Sequence, residues 1–581
     1  MSEKLFKEET DLYRRFLEKC HITSVINNHL ADLDLSVNPY KEISAKEVVS
    51  YWRKFIKNPN RKGHLNFYNH IPFCPKACHF CCYFKTQPTS SEINLYVKDL
   101  IKYYDFFSPI FKDKNFTNLY FGGGTPSILK EKEMKDLLTS LFNLFEFDDD
   151  GQKVMEFNPA TSSKGKLKLL KDFGFNKVSF GVQTFNQETL RLNNRGYQTP
   201  EMVKEAVSDA KDLGFEIVNI DLLFGLYGDT SKDLIENMKR SLDLNPDTIH
   251  LYSLQPTSHY FKKKKIKSKE SFFERKRGII QRSIDRITSL VKEKGYMLPP
   301  IIDFADLDFP DPHAFVFSKP KVHDRKKEYS FGDINASEDI LGMGHRSRSH
   351  IKKKMRYSMN DKISVDPSDY IFSASPYTER REMISFLLRN FSYQRFVSLN
   401  HFEKIFGKDL IQEFGEAIDK LKRLNAISIK DDRMMLLSKD LQEVLIHCLF
   451  LFDKEDIQKA IAPKEAKKTK MIKIDKAKSK MLSEKMEEIV KKDKYIQLLV
   501  TDGVVDEKRE ESFVVLTKEK DKKEIFVDDQ TIVVNVTVRG KEFILTPVNQ
   551  IKFDAIKKGD SLSVLSTDWN KPKALIVKRE L

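Results

Sequence analysis

Three cysteines, Cys74, Cys78 and Cys81, stand C-x3-C-x2-C in the run Tyr68-Asn-His-Ile-Pro-Phe-Cys-Pro-Lys-Ala-Cys-His-Phe-Cys. On a tight loop this spacing suits three thiolates that hold one metal cluster and leave a fourth position open for a cofactor. Soft thiolates select zinc, copper(I) or iron–sulfur clusters. Structural zinc takes four ligands, often as two pairs. Here no second pair exists: Cys448 is isolated, Cys82 adjoins Cys81, and His79 sits in the middle of the loop. A [4Fe–4S] cluster with three thiolates and one free iron fits better, with zinc as the alternative.

Downstream residues add chemistry in a fixed order. Gly122-Gly-Gly-Thr-Pro is a tight turn in its plain reading, or bare backbone that lets a ligand approach closely. Glu156 can cap a segment or bind an ammonium group. Gln183 can be a satisfied amide, Arg195 a surface charge, and Asp221 a helix cap or a ribose hydrogen-bond acceptor. Each is ambiguous alone; their convergence on one region is informative.

The elements that must position them alternate between strand and helix. Leu65 to His70, Asn118-Leu-Tyr-Phe, Lys153-Val-Met-Glu-Phe, Lys177-Val-Ser-Phe-Gly-Val, Ile217-Val-Asn-Ile-Asp-Leu-Leu and Thr248-Ile-His-Leu-Tyr-Ser are short apolar runs. Helical stretches such as Glu131 to Phe147 and Thr199 to Leu213 lie between them. Repeated βα units predict an α/β fold with a parallel sheet, open or barrel-shaped. Chemistry then gathers at the C-terminal strand ends, where the cysteine loop, the glycine loop, Glu156 and Gln183 fall, with Asp221 in the fifth strand.

The remaining chain reads as further domains, about three or four in all at ~150 residues each. Residues 1–64 are a polar helical segment, 65–300 the βα region, and 301–376 an irregular connection completing it, with a Gly342-Met-Gly344 turn. Residues 377–455 carry amphipathic helices (Arg380 to Arg389, Leu399 to Phe406, Leu410 to Leu424) and a β-wing at Ala426 to Leu437, a winged-helix-like domain. A charged linker over 456–496 leads to a small β-barrel or sandwich over 497–581. No basic recognition helix stands out, so nucleic acid is not expected as a partner.

The chain has 581 residues, 40% of them hydrophobic, and a formal net charge of +15. That composition builds substantial cores, and the basic surplus permits an anionic partner. The six cysteines form no disulfide framework. No run reaches the ~18 apolar residues of a membrane span, and the first residues lack the apolar core of a signal peptide. A cytoplasmic protein with reduced thiols is expected.

Taken together, Tyr68-x-His-Ile-Pro-Phe-Cys-x3-Cys-x-Phe-Cys, Phe121-Gly-Gly-Gly-Thr-Pro-Ser, Glu156-x-Asn-Pro, Gly181-Val-Gln-Thr-Phe, Arg191-Leu-Asn-Asn-Arg195 and Asn219-Ile-Asp-Leu-Leu-Phe-Gly-Leu resemble the radical S-adenosylmethionine superfamily. Within it they resemble the oxygen-independent coproporphyrinogen III oxidase-like family, which includes haem chaperones and methyltransferases. The match runs from Tyr68 to about Thr257, and a weaker one covers about 377–455. The resemblance implies a partial (β/α)6 barrel with a [4Fe–4S] cluster held by Cys74, Cys78 and Cys81. S-adenosylmethionine would chelate the fourth iron, lined by Tyr68, Phe80, Gly123, Gly124, Thr125, Glu156, Gln183, Arg195 and Asp221. One electron, from a donor of flavodoxin or ferredoxin type, would cleave the cofactor to methionine and a 5′-deoxyadenosyl radical that abstracts hydrogen from a substrate.

The family implies a tetrapyrrole substrate such as coproporphyrinogen III, decarboxylated oxidatively, or another anionic small molecule. Three departures bear on this. The oxidases carry a fourth cysteine two residues after the third, where this chain has Tyr83 and places its extra thiol at Cys82. Leu226-Tyr-Gly-Asp-Thr replaces the family's Leu-Pro-Gly-Gln-Thr, and Lys326-Lys-Glu-Tyr-Ser-Phe-Gly-Asp stands where the haem chaperones carry His-Asn-x-x-Tyr-Trp. The rival readings are a methyltransferase on the same scaffold, a haem-binding chaperone without turnover, and a zinc-stabilised nucleic-acid-binding protein.

Overall fold

The computed structural model describes residues 3–19, 33, 37, 40–58, 64–81, 87–298, 314–323, 338–360, 366–438 and 440–461, and beyond them the strands of the C-terminal region. Twelve strands build the main sheet: β1 (Lys41–Ser44), β2 (Leu65–Ile71), β3 (Asn118–Gly123), β4 (Lys153–Phe157), β5 (Lys177–Gln183), β6 (Ile217–Phe224), β7 (Thr248–Ser253), β8 (Ala314–Ser318), β9 (Asp339–Met343), β10 (Arg348–Ile351), β11 (Met355–Ser358) and β12 (Ile371–Pro376). Their spatial order is β1-β12-β11-β10-β9-β2-β3-β4-β5-β6-β7-β8.

From β2 to β7 the strands follow chain order and pair in parallel. Helices Ser90–Phe107, Glu131–Leu144, Lys164–Asp172, Pro200–Asp212 and Ser231–Asp243 make the crossovers. This is a (β/α)6 partial barrel. Parallel strands covered on both faces read as nearly continuous apolar runs, and Val178, Phe180, Val218, Ile220, Leu222, Ile249 and Leu251 are fully buried. Helix starts are marked in the sequence. Thr89 with Glu92 and Thr230 with Asp233 form capping boxes, so orphan amides are satisfied on both sides.

The structure corrects two expectations. Lys41–Ser44, inside the segment expected to be helical, is an edge strand paired antiparallel with β12. Ser44 then caps helix Ala45–Ile56, whose fully buried Trp52 donates from Nε1 to the Tyr357 hydroxyl at 2.6 Å. The region expected to be irregular contains four further strands after β8. Of these, β9 joins the barrel in parallel with β2 and places Gly342 inside a strand rather than a turn. A Cβ at Gly342 would lie 2.3 Å from the Arg348 carbonyl oxygen, so the β9–β10 hairpin requires glycine there.

A second core joins the helical region to the chain's beginning. Helix Glu379–Gln394, helices Leu399–Phe406, Leu410–Glu413 and Gly415–Arg423, and a three-stranded wing (Phe396–Ser398, Arg433–Leu436, Ile427–Lys430) pack together. The amino-terminal helix Glu3–Lys19 packs here too: Tyr13 meets Phe450 edge-on with ring centroids 4.9 Å apart, and Lys420 pairs with Glu9 at 3.0 Å. The barrel sheet is tied to this region by the buried pair His350 on β10 and Glu382 on helix Glu379–Gln394.

Pro463–Leu581 is a separate compact unit. It carries one eight-stranded sheet, antiparallel except where Ile532–Arg539 runs parallel to Leu575–Arg579. Cys20, Cys82, Tyr83, Lys326 to Asp333 and most of the charged stretch 456–496 lie outside the described residues. Among the described residues no helix is long and apolar enough to cross a membrane.

Candidate active site at the barrel mouth

The cysteine loop leaves the end of β2 and lies against the glycine loop that follows β3. Gly124 donates its backbone N–H to the Ile71 carbonyl at 2.7 Å. A Cβ at Gly124 would sit 2.6 Å from the Phe73 carbonyl oxygen and 3.0 Å from the Cys74 sulfur. Gly123 has φ +110, and a Cβ there would strike the His70 ring at 2.8 Å. Both glycines are therefore required by close approach and backbone shape, not only by turn preference. Thr125 brings its hydroxyl 3.5 Å from the Cys74 sulfur.

Cys78 is reached from the other side. Arg195 places Nη1 3.6 Å from the Cys78 sulfur, with Nε donating to Gln198 Oε1 at 3.1 Å and Nη2 to the Gly181 carbonyl. Cys78 and Phe80 are buried in an apolar cluster with Leu226, Leu254, Tyr260, Phe261 and Phe272, and Cys81 packs partly buried against it. The three cysteines do not close on one point. Among the described residues no three His, Cys, Asp or Glu side chains are placed to hold a single metal ion. A cluster instead takes each sulfur on a different iron. The donor set, the glycine cradle and the adjacent guanidinium fit such a group.

Deeper in the barrel the inward strand positions are polar. Glu156 accepts from the Tyr120 hydroxyl at 2.6 Å, and Tyr68 lies beside Tyr120 with its own hydroxyl 3.0 Å from His70 Nδ1. Burial, with the Asp221 charge nearby, lifts the Glu156 carboxyl to about 7 despite the Tyr120 hydrogen bond. Asp221 accepts from Ser179 at 2.8 Å and Asn219 at 2.7 Å, and faces His250 Nδ1 at 3.5 Å. Burial raises the Asp221 carboxyl against those two hydrogen bonds, and burial with the Lys177 charge lowers His250 to about 3. Gln183 ends β5 with φ +71 at a bulge, which brings its side-chain amide beside Gly181.

The structure thus gathers Cys74, Cys78, Gly124, Thr125 and Arg195 at the rim, and Tyr68, Glu156 and Asp221 below it. Gln183 reaches the rim through Gly181. His79 turns away from the cysteines, with Nδ1 2.9 Å from Lys264 Nζ. The sequence reading missed Tyr120, Ser179, Asn219, His250 and Tyr252, whose signal was the every-second-residue polar position inside otherwise apolar strands. It also missed His70, whose Nε2 is buried without a partner, and Tyr197, which accepts from Asn158 at 2.9 Å beneath Arg195.

Residues 68–240 match the model of the Radical SAM superfamily. The oxygen-independent coproporphyrinogen III oxidase of Salmonella typhimurium is 29% identical over 398 residues, covering 65% of this chain and 82% of that protein. The heme chaperone HemW of Bacillus subtilis is 34% identical over 194 residues, covering 32% of this chain and 49% of that one. Among solved structures, the Escherichia coli coproporphyrinogen III oxidase HemN superposes with a TM-score of 0.55 at 22% identity, covering 69% of this chain and 92% of that one. The fold is shared with HemN.

Proposed function

We propose that this chain, whose residues 68–240 match the Radical SAM superfamily with its [4Fe–4S] cluster and S-adenosylmethionine, is a cytoplasmic enzyme acting on a tetrapyrrole such as coproporphyrinogen III, with oxidative decarboxylation as its reaction. The observation that carries the reading is the rim around Cys74 and Cys78. A thiolate loop, a glycine cradle and a buried guanidinium meet there at the ends of parallel strands. In this reading Cys74, Cys78 and Cys81 hold three irons. The bound cofactors supply one-electron cleavage and a radical that takes a hydrogen atom from substrate.

The chain's own residues bind and orient. Arg195 pairs the methionyl carboxylate. Glu156, ionised on meeting an ammonium group, receives the amine. Asp221, aimed by Ser179 and Asn219, accepts from a ribose hydroxyl. Gly123 and Gly124 give the ligand bare backbone, and Tyr68 and Phe80 wall the site. Enclosure at the mouth keeps water from reactive species.

Oxidase relatives spanning most of their own length support the substrate class. The haem-chaperone reading is supported by the HemW relatives, and it predicts binding without turnover. Anaerobic reconstitution, reduction and incubation with coproporphyrinogen III separate the two. The oxidase yields 5′-deoxyadenosine and a product lighter by carbon dioxide and two hydrogen atoms for each carboxyl group lost. Haem binding with no substrate-dependent 5′-deoxyadenosine would replace the proposal with the chaperone.

A further inference from the structure

Six of the eight residues 262–269 are lysine, in the run Lys-Lys-Lys-Lys-Ile-Lys-Ser-Lys. Lysines in a last helical turn complement the helix dipole, which accounts for Lys262, Lys263 and Lys264 at the end of helix Ser258–Lys264. It does not account for Lys265, Lys267 and Lys269, which follow the helix. Lys262, Lys263, Lys265, Lys267 and Lys269 are all exposed, and no salt bridge involves them among the described residues. Glu270, the nearest acid, is engaged with Ser268.

The position of this run gives it a use. Lys264 turns inward, donating to the Leu192 carbonyl and lying 2.9 Å from Nδ1 of His79 in the cysteine loop. Tyr260 and Phe261, on the same short helix, pack in one apolar cluster with Cys78 and Phe80.

We propose that Lys262, Lys263, Lys265 and Lys267 form the docking surface for a small acidic carrier protein that delivers the single electron the enzyme consumes. The inference rests on the cluster reading above. With the cluster held by Cys74, Cys78 and Cys81, the carrier's reduced centre would give up one electron to it, with no bond formed or broken and no proton moved. An acidic protein face fits better than a small polycarboxylate because four exposed lysines on consecutive stretches of chain, after and at the end of one helix, match a face of opposite charge rather than an enclosed pocket. Unpaired like charges of this kind raise encounter rates by tenfold or more, roughly, and do so in a salt-dependent way.

The test compares wild type with the charge-reversed variant Lys262→Glu/Lys263→Glu/Lys265→Glu/Lys267→Glu, both reconstituted anaerobically. Titration with oxidised flavodoxin at low salt reads binding, and stopped-flow bleaching reads reduction by reduced flavodoxin. Binding and reduction rate should both fall by about tenfold or more, and the wild-type salt dependence should flatten, while reduction by dithionite stays at the wild-type rate. Unchanged flavodoxin affinity and rate would overturn the docking surface alone. So would a variant whose only defect, with dithionite as reductant, is a raised KM for the tetrapyrrole, because the lysines would then serve the substrate. A wild-type protein holding no reducible cluster would overturn the proposed function and this inference together.

Discussion

The guanidinium of Arg195 stands 3.6 Å from the sulfur of Cys78, and its remaining nitrogens are fixed by Gln198 and by the Gly181 carbonyl. One side chain thereby ties the cysteine loop to strand β5. Replacing it with methionine keeps much of the bulk and removes the charge. Arg195→Met is expected to weaken S-adenosylmethionine binding by about 10- to 100-fold, the loss of a charge-assisted contact worth roughly 1.5–3 kcal/mol. Titration calorimetry on the reconstituted protein measures this, and iron content should stay at the wild-type level.

Glu156 gives the site a pH dependence of definite sign. Its folded value of about 7 lies above the ordinary carboxyl range because of burial and then Asp221. Between the two values the folded state holds a proton that the unfolded chain has lost, so ligand-free stability falls as pH rises through that window. With Glu156 receiving the cofactor's amine as proposed, cofactor binding should tighten as pH rises through neutrality. Glu156→Gln should flatten both trends. Thermal melts without ligand and calorimetric titrations at about pH 6, 7 and 8 read them.

The cysteines make separable predictions. Cys78→Ala should abolish cofactor cleavage with loss of the cluster's absorbance, since three sulfurs are needed to hold the cube in one orientation. Cys82→Ala should keep its iron. Iron loss in the Cys82 variant would move the third ligand to that position.

The pair His350 and Glu382 fastens β10 to helix Glu379–Gln394. Burial would raise the Glu382 carboxyl, but His350 and Arg356 beside it prevail and hold it at about 2. That stabilisation is present above the ordinary carboxyl range and is lost as pH falls toward the folded value. Burial holds the His350 imidazole below its ordinary value, so at neutral pH a neutral ring meets the carboxylate. Glu382→Gln weakens a charge-assisted hydrogen bond and should cost about 1.5–3 kcal/mol, read by urea denaturation at neutral pH. The cost should shrink as pH is lowered.

Much of the rim was legible because its chemistry lies in contiguous motifs. Cys74, Cys78 and Cys81 share one short run, Gly122 to Gly124 are consecutive and Glu156 ends its own strand, and parallel sheets send such loops to one end. The inner wall was harder to read. In Thr248-Ile-His-Leu-Tyr-Ser, Ile249 and Leu251 are fully buried against the helices, while His250 and Tyr252 face the barrel lumen beside Asp221. An alternating pattern names two faces but not which of them meets a ligand. The left-handed turn of Gln183 depends on a bulge against β6, which no local signal marks. Strands β9 to β12 escaped the reading because each is only four to six residues long. Their pairing is set by partners far away in the chain.

The contact of Tyr13 with Phe450 also orders events during synthesis. The barrel strands β2 to β7 have all left the ribosome well before the helical region that receives helix Glu3–Lys19 exists. The apolar stripe of helix Glu3–Lys19 must therefore wait, uncovered, for a partner translated hundreds of residues later. At ordinary elongation speeds that interval is tens of seconds, long enough for a holdase to guard the nascent amino terminus until the two ends of this unit meet.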